Sequence, residues 1–391
     1  MSAYRLTEEQ VALRDAARRF AQGYLAAQAM KVDEAGTDFP AEVLTEMSKH
    51  GFLGLDVPTE YGGQGLDTLT CGVILEELAA CWFSSTIFAM NLATGPILAA
   101  GSPAQKERYL RGICRGELVP AFALTEPAGG SDAANITTRV TREGGEYVLR
   151  GQKIFITNAH RADVIVVFAR SQPDAPRGKG ISIVLVDKGT PGLRIGQRFH
   201  TIAHGANPIW EVVFDECRVP LENLIGAEGE GFSYIQKDFG KIRAVYGSRC
   251  VGVAQGALDY ALQYANDREQ FGQTVASFQG IRFKVAELVS KIEAARQLSY
   301  RAAAMADDGS PDAPVAASMA KIFASALAVE VTGEAMQLMG GHGLLRLHPI
   351  ERMYREAKLF QIGDGTSEVL KLLVSRHANR KAQDRQSARV E

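Results

Sequence analysis

Apolar residues at the start of the chain recur at three- and four-residue steps. Leu6, Val11, Leu13 and Phe20 are the large ones among them, and Thr7 before Glu8-Glu9 reads as a cap with an acidic first turn. A second helix is predicted over about 40–50, entered at Pro40 and stopped at His50-Gly51. Residues 61–65 hold too much glycine for regular structure and predict a loop. Helical spacing returns over 69–80, with Glu76 and Glu77 on its polar side, and the almost uncharged 86–100 predicts a buried helix.

From Pro120 the period changes. Residues 146–149, 153–156, 164–170, 181–187, 193–195 and 210–214 are short β-branched runs separated by Gly, Pro, Asn and Asp. This pattern predicts an antiparallel β-barrel or sandwich. No stretch between the runs holds a crossover helix, so parallel pairing is not expected. After Gly231 helical spacing resumes through Phe232, Ile235, Phe239, Ile242, Tyr246, Cys250 and Val253, with no proline between Pro220 and Pro311. Further helices are predicted at about 276–306, 312–340 and 350–380, packed as a four-helix bundle. The expected organisation is an N-terminal helical domain (1–119), a middle β domain (120–231), a C-terminal bundle (232–380) and a disordered tail (381–391).

Composition narrows the function class. The 391 residues are 46% hydrophobic and 23% charged, which excludes a disordered or collagen-like chain. A formal charge of −2 favours neither nucleic acid nor an anionic membrane as partner. No continuous apolar run reaches the ~18–20 residues of a membrane span, and the first ten residues lack a signal-peptide core. Five cysteines without a C-x-x-C pair read as reduced packing thiols, and the expected location is cytoplasmic.

Candidate chemistry collects in five segments: Leu-Thr-Glu-Pro-Ala-Gly-Gly-Ser-Asp at 124–132, Lys-Ile-Phe-Ile-Thr-Asn-Ala at 153–159, Arg-Glu-Gln-Phe-Gly at 268–272 with Phe278-Gln279, Gln-Leu-Met-Gly-Gly-His-Gly at 337–343, and Ile-Gly-Asp-Gly-Thr-Ser-Glu at 362–368. Taken singly, each is an ordinary turn or core strand. In this order, on a helix–β–helix layout, they resemble the acyl-CoA dehydrogenase superfamily over nearly the whole chain.

That resemblance implies an acyl-CoA dehydrogenase-like fold, FAD between the β domain and the bundle, and a homotetramer. It assigns flavin contacts to Phe122, Leu124, Thr125, Gly130 and Ser131, with Ser131 also near the acyl-CoA. Phe155, Ile156 and Thr157 match a segment that packs against the flavin ring, where many members carry tryptophan at the first position. Arg268, Phe271 and Gln279 match residues reaching the adenosine half. Gln337, Gly340 and Gly341 match a turn that closes on a neighbouring subunit's cofactor, and Thr366 and Ser367 match further flavin contacts. The implied reaction is α,β-dehydrogenation of a coenzyme A thioester: a carboxylate removes the α-proton, the β-hydrogen leaves as hydride to flavin N5, and an electron-transferring flavoprotein accepts the electrons.

The base position departs from the family pattern. Where members commonly carry glutamate before Gly-Thr, this chain has Asp364, and the alternative base position before Arg243 is Ile242. Aspartate reaches about 1.5 Å less far, and a ~1 Å misplacement costs on the order of a hundredfold in rate. With Gly363 beside it, the shorter base predicts a branched or alicyclic acyl group such as cyclohexanecarboxyl-CoA, lined by Arg243, Gly363 and Gly365. The other readings are a straight short-chain substrate, an acyl-carrier-protein thioester (Gly240 replaces a pantetheine-contacting Asp), a flavin oxidase resembling nitroalkane oxidases, and a non-catalytic flavin binder. The absence of Arg or Lys over 82–96 argues against a dicarboxylyl substrate. Residues 351–358, rich in Arg and Glu, predict an exposed helix face, and His342 and His348 structural roles.

Overall fold

In the computed structural model, which describes residues 5–203 and 205–387, helix α1 (Glu8–Phe20) starts where Thr7 closes a capping box with Gln10. The reciprocal bonds satisfy donors that the first turn leaves open. Before the sheet follow α2 (Ala26–Ala35), α3 (Ala41–Lys49), α4 (Thr68–Ala89), α5 (Thr94–Ala100), α6 (Pro103–Gln105) and α7 (Arg111–Cys114). Trp82 leaves helical geometry inside α4, so the predicted gap after residue 80 is a kink.

The sheet comprises β1 (Pro120–Ala123), β2 (Arg139–Glu143), β3 (Glu146–Thr157), β4 (Val164–Arg170), β5 (Ile181–Asp187), β6 (Leu193–Phe199), β7 (Ile209–Pro220) and β8 (Leu224–Ile225). Their order is β6-β7-β3-β2-β4-β5-β8, with β1 on β4. Antiparallel pairs predominate, but β1 runs parallel to β4. This corrects the expectation of no parallel pair: the crossover contains the β2–β3 hairpin, which returns the chain without a helix. The predicted strands at 146–149 and 153–156 are one strand, β3, with register shifts against β7 at Leu149/Gly151 and Lys153/Ile156. Such bulges bend a strand and re-aim its side chains. Leu149, Ile156, Val167, Val184 and Phe214 form part of the sheet's buried core.

The C-terminal helices are α8 (Gly231–Asp267), α9 (Gln279–Asp307), α10 (Ala313–Met339), α11 (Ile350–Leu359) and α12 (Ser367–Ser387), with a hairpin of β9 (Glu269–Gln270) and β10 (Gln273–Thr274) after α8. The single helix predicted over 350–380 is therefore two, divided by a turn. Residues 381–387 of the expected tail continue α12, and 388–391 lie outside the described residues.

By packing, the chain forms two units. One joins the described residues up to Ala35 with Asp67–Thr86 and those from Gly240 onward; the other joins Gly36–Leu66 with Ile87–Phe239. The N-terminal helices are thus distributed between them. Within the first unit α4 and α8 meet backbone to backbone. A Cβ on Gly252 would come 2.1 Å from the Glu76 carbonyl oxygen, and one on Gly256 2.0 Å from that of Ala80. By length and mean hydropathy, α4 and the segment Ala313–Leu344 could each span a membrane, which the absence of long uninterrupted apolar runs did not predict. In the fold 78% and 61% of their apolar windows are buried as core.

Candidate active site

Between α11 and α12 the chain makes a turn in which Asp364 has φ 54° and Gly365 φ 97°. Two successive left-handed residues end a helix, and aspartate adopts that region more readily than most side chains. Lys321, 1% exposed on α10, lies against this turn. Its ammonium donates to the Gly365 carbonyl at 2.6 Å and to the Gly363 carbonyl, one on each side of Asp364. The same nitrogen stands 4.8 Å from the centre of the Tyr246 ring, within cation–π range. Burial draws the Lys321 pKa down to about 8 against the pull of Asp364.

Two α8 side chains complete the surroundings. Arg243 is 6% exposed; burial lowers its pKa while the Asp364 charge opposes that. Burial, and then Asp364, raise the Tyr246 phenol well above its usual value. Asp364 is half-buried and faces two cations. Gly363 does not open space at its own α-carbon as expected, because a Cβ there would come 3.1 Å from Tyr246 Oη. Its missing side chain admits the phenol. Thr366 Oγ1 accepts from the Val369 N–H at 3.3 Å, and the Ser367 N–H donates to the Gln361 carbonyl at 3.0 Å. Both residues fix the entry into α12.

The second unit holds the other half of the expected cofactor residues. Lys153, fully buried in β3, pairs with Glu126 at 2.8 Å and donates to the Leu124 carbonyl at 3.0 Å. Glu126 also accepts from the backbone N–H groups of Thr137 and Thr138 at 2.6 and 2.9 Å and from the Thr137 hydroxyl at 2.7 Å. Burial opposes its ionisation, but Lys153 and these donors outweigh that and hold its pKa at about 2. Burial takes Lys153 to about 8. The Ile154 N–H reaches the Thr125 carbonyl at 2.9 Å, so the loop after β1 is fastened to the end of β3.

At that end the Lys153/Ile156 bulge puts Phe155 at φ 57° and leaves its ring 51% exposed, 5.1 Å from that of Phe199. Phe122 packs on Phe168 at 5.1 Å. Ile156 is in the sheet core, which leaves its backbone rather than its side chain for ligand contact. Around Gly129 there is open space, and a Cβ on Gly130 would meet only Thr125, at 3.4 Å. Thr125 and Thr157 are half-buried, and Ser131 is exposed. A projecting aromatic, hydroxyl donors and an unobstructed glycine pair fit a flat ring with an attached phosphate.

Other expected residues lie elsewhere in the first unit. Arg268 precedes the β9–β10 hairpin, Phe271 at its tip is 94% exposed, and Gln279 opens α9. Gln337 and Gly340 end α10, the Gly340 N–H donating to the Gln337 carbonyl, and Gly341 follows in an exposed turn. The predicted exposed face of 351–358 is corrected: Arg352 and Glu356 are each 4% exposed, with Arg352 donating to the Cys81 carbonyl at 3.1 Å. His348 meets the Tyr260 hydroxyl at 2.8 Å, a structural role. Sequence reasoning passed over Lys321, Tyr246 and the Lys153–Glu126 pair. Lys321 carried a signal, being the sole charge between Asp312 and Glu330.

Three family models match in chain order: the N-terminal domain of acyl-CoA dehydrogenases over 7–117, the middle domain over 121–217 and the C-terminal domain over 229–379. An acyl-CoA dehydrogenase of Bacillus subtilis (strain 168) is 38% identical over 95% of this chain and 98% of its own. The cyclohex-1-ene-1-carbonyl-CoA dehydrogenase of Geobacter metallireducens is 41% identical over the same shares. CarC, a subunit of the caffeyl-CoA reductase–Etf complex of Acetobacterium woodii, is 37% identical over 94% of this chain and 98% of its own. Among solved structures, butyryl-CoA dehydrogenase from Megasphaera elsdenii superposes with a TM-score of 0.90 at 34% identity, covering 97% of this chain and 100% of that one. With all three domains matched and such identity held from end to end, the chain belongs to the acyl-CoA dehydrogenase family and is an FAD-dependent oxidoreductase.

Proposed function

We propose that this enzyme dehydrogenates a short or medium, branched or alicyclic acyl-CoA, such as cyclohexanecarboxyl-CoA, with Asp364 as the base. The observation that carries the assignment of the base is the turn itself: Asp364 is a half-buried carboxylate flanked by Arg243 and Lys321, whereas Ile242, at the alternative base position, is apolar and 7% exposed. The 124–131 loop, the Phe155–Thr157 strand end, Arg268, Phe271, Gln279 and the Gln337–Gly341 turn are the proposed holders of FAD. When bound, FAD supplies the acceptor for the β-hydrogen. The protein's part is to expel water from the α-carbon, orient the thioester and take the α-proton on an Asp364 oxygen.

The alicyclic preference draws support from the relative named for cyclohex-1-ene-1-carbonyl-CoA and from the short reach of aspartate. One observation favours a second reading, a straight short chain: the Tyr246 phenol occupies the space that Gly363 was expected to free. An electron-transferring flavoprotein is the proposed acceptor, in keeping with the Etf-complex relative, and the enzyme is proposed to work as a cytoplasmic homotetramer.

Anaerobic bleaching of the flavin near 450 nm tests the reading with butyryl-, octanoyl-, isobutyryl- and cyclohexanecarboxyl-CoA. Selective bleaching by the last two supports it. Equal or faster bleaching by straight chains selects the second reading. Bleaching by no thioester directs the search to a carrier-protein substrate or an oxidase.

A further inference from the structure

The geometry points to Lys321 as the positioning residue for the catalytic base: by holding the carbonyls of Gly363 and Gly365 together, it sets where the Asp364 carboxylate stands. This rests on the reading of Asp364 as the base and extends it to a residue 43 positions away in sequence.

A lysine at 1% exposure inside an apolar helix is costly to bury, so its hydrogen bonds must compensate. They go to the two peptide carbonyls that bracket Asp364. Asp364 sits in the left-handed region between two glycines, and the backbone bonds of Gly363 to Leu359 and of Ser367 to Gln361 close the turn around it without reaching the carbonyls of Gly363 and Gly365. A clamp on both flanking carbonyls fixes them. Among the described residues, the titratable and charged groups that act on Lys321 are Asp364 on the turn and Arg243 and Cys250 on α8. Tyr246 adds its ring from α8. Arg243 and Tyr246 interact electrostatically with Asp364, whereas Lys321 is bonded to the backbone on both sides of it.

The arrangement predicts an effect on proton removal and not on binding. Lys321→Met keeps an unbranched side chain, one atom shorter, and removes its donors. If the carboxylate drifts by ~1 Å, flavin reduction by acyl-CoA slows on the order of a hundredfold, with little change in the substrate concentration at half-saturation. The primary isotope effect from α-deuterated substrate rises, because proton transfer becomes the slow step. Lys321→Gln, which retains an amide donor group with two N–H bonds, recovers part of the rate, and it replaces the methionine variant should that one not fold with its flavin.

Stopped-flow reduction of the holoenzyme and its variants decides the matter. Wild-type rate and isotope effect in folded Lys321→Met overturn the clamp, as they do in Lys321→Gln where that variant stands in for it. So does a loss that appears only as weaker half-saturation with an unchanged isotope effect, which is the mark of a merely structural role. Asp364→Asn keeps the two claims apart. If it reduces flavin at the wild-type rate, the base assignment fails whatever Lys321 does. If it is inactive while Lys321→Met is normal, the base stands and the clamp falls.

Discussion

Replacing Lys153 with methionine would strip the loop after β1 of its buried counter-charge. Glu126 would remain in the interior with three donors from Thr137 and Thr138 but no cation. Removing one partner of a buried ion pair costs about 3–5 kcal/mol. Glu126 is held at about 2 against its ordinary 4.5 by Lys153 together with the threonine donors, while burial takes Lys153 itself down to about 8 and offsets part of that gain. Against a typical total of about 5–15 kcal/mol, the cost of removing one partner is a large share. A depressed carboxyl contributes stability above its unfolded pKa and loses it as pH falls through the folded one. The cost of Lys153→Met is therefore expected at pH 7 and shrinks as pH falls toward about 2, where Glu126 is protonated with or without the lysine. Denaturant unfolding of the holoenzyme, followed by far-ultraviolet circular dichroism and flavin fluorescence, measures both. The double variant Lys153→Met/Glu126→Gln should recover much of the loss, since removing both charges leaves none unpaired. A cost under ~1 kcal/mol at pH 7, or one unchanged down to pH 2, would refute this account of the loop.

Three further outcomes follow from the same geometry. Asp364→Asn should retain FAD and fold, since asparagine also tolerates the left-handed turn, yet lose thioester-driven flavin bleaching by at least a hundredfold; retained bleaching would remove Asp364 from the chemistry. Gly363→Ala brings a methyl group 3.1 Å from Tyr246 Oη, so turnover should fall several-fold and return when Tyr246→Phe is added, with no recovery counting against the contact. Gly256→Ala places a methyl group 2.0 Å from the Ala80 carbonyl oxygen; overpacking of about 1–3 kcal/mol should exceed the gain of about 1 kcal/mol in helix propensity, and a denaturation midpoint at or above wild type would contradict it.

How legible these features were in the sequence depended on how local their causes are. β4 and β5 could be read in full because 164–170 and 181–187 are unbroken buried runs bounded by turn residues. β1 was not, because Pro-Ala-Phe-Ala has little strand character and pairs only where β4 offers an edge. The break at Asp364 was hidden by Leu359, Phe360 and Ile362, which keep helical spacing into the turn, although the glycines around Asp364 had already marked it as a site. Arg352 and Glu356 read as an exposed pair four residues apart; that spacing gives a shared face, and only packing decides that this face is the inner one with Met353. Lys321 shows the limit most clearly. Its place in an uncharged helix was visible, but its partners lie 42 and 44 positions onward.

The backbone contact of α4 with α8 has a consequence for motion. Helices separated by side chains can slide or roll by repacking them, but at Gly252 and Gly256 no side chain intervenes to be repacked. That part of α8 is locked against α4, and Arg243 and Tyr246 ride on the same helix only a few turns away. Relaxation measurements on the microsecond-to-millisecond scale should therefore find α8 quiet from Tyr246 to Gly256.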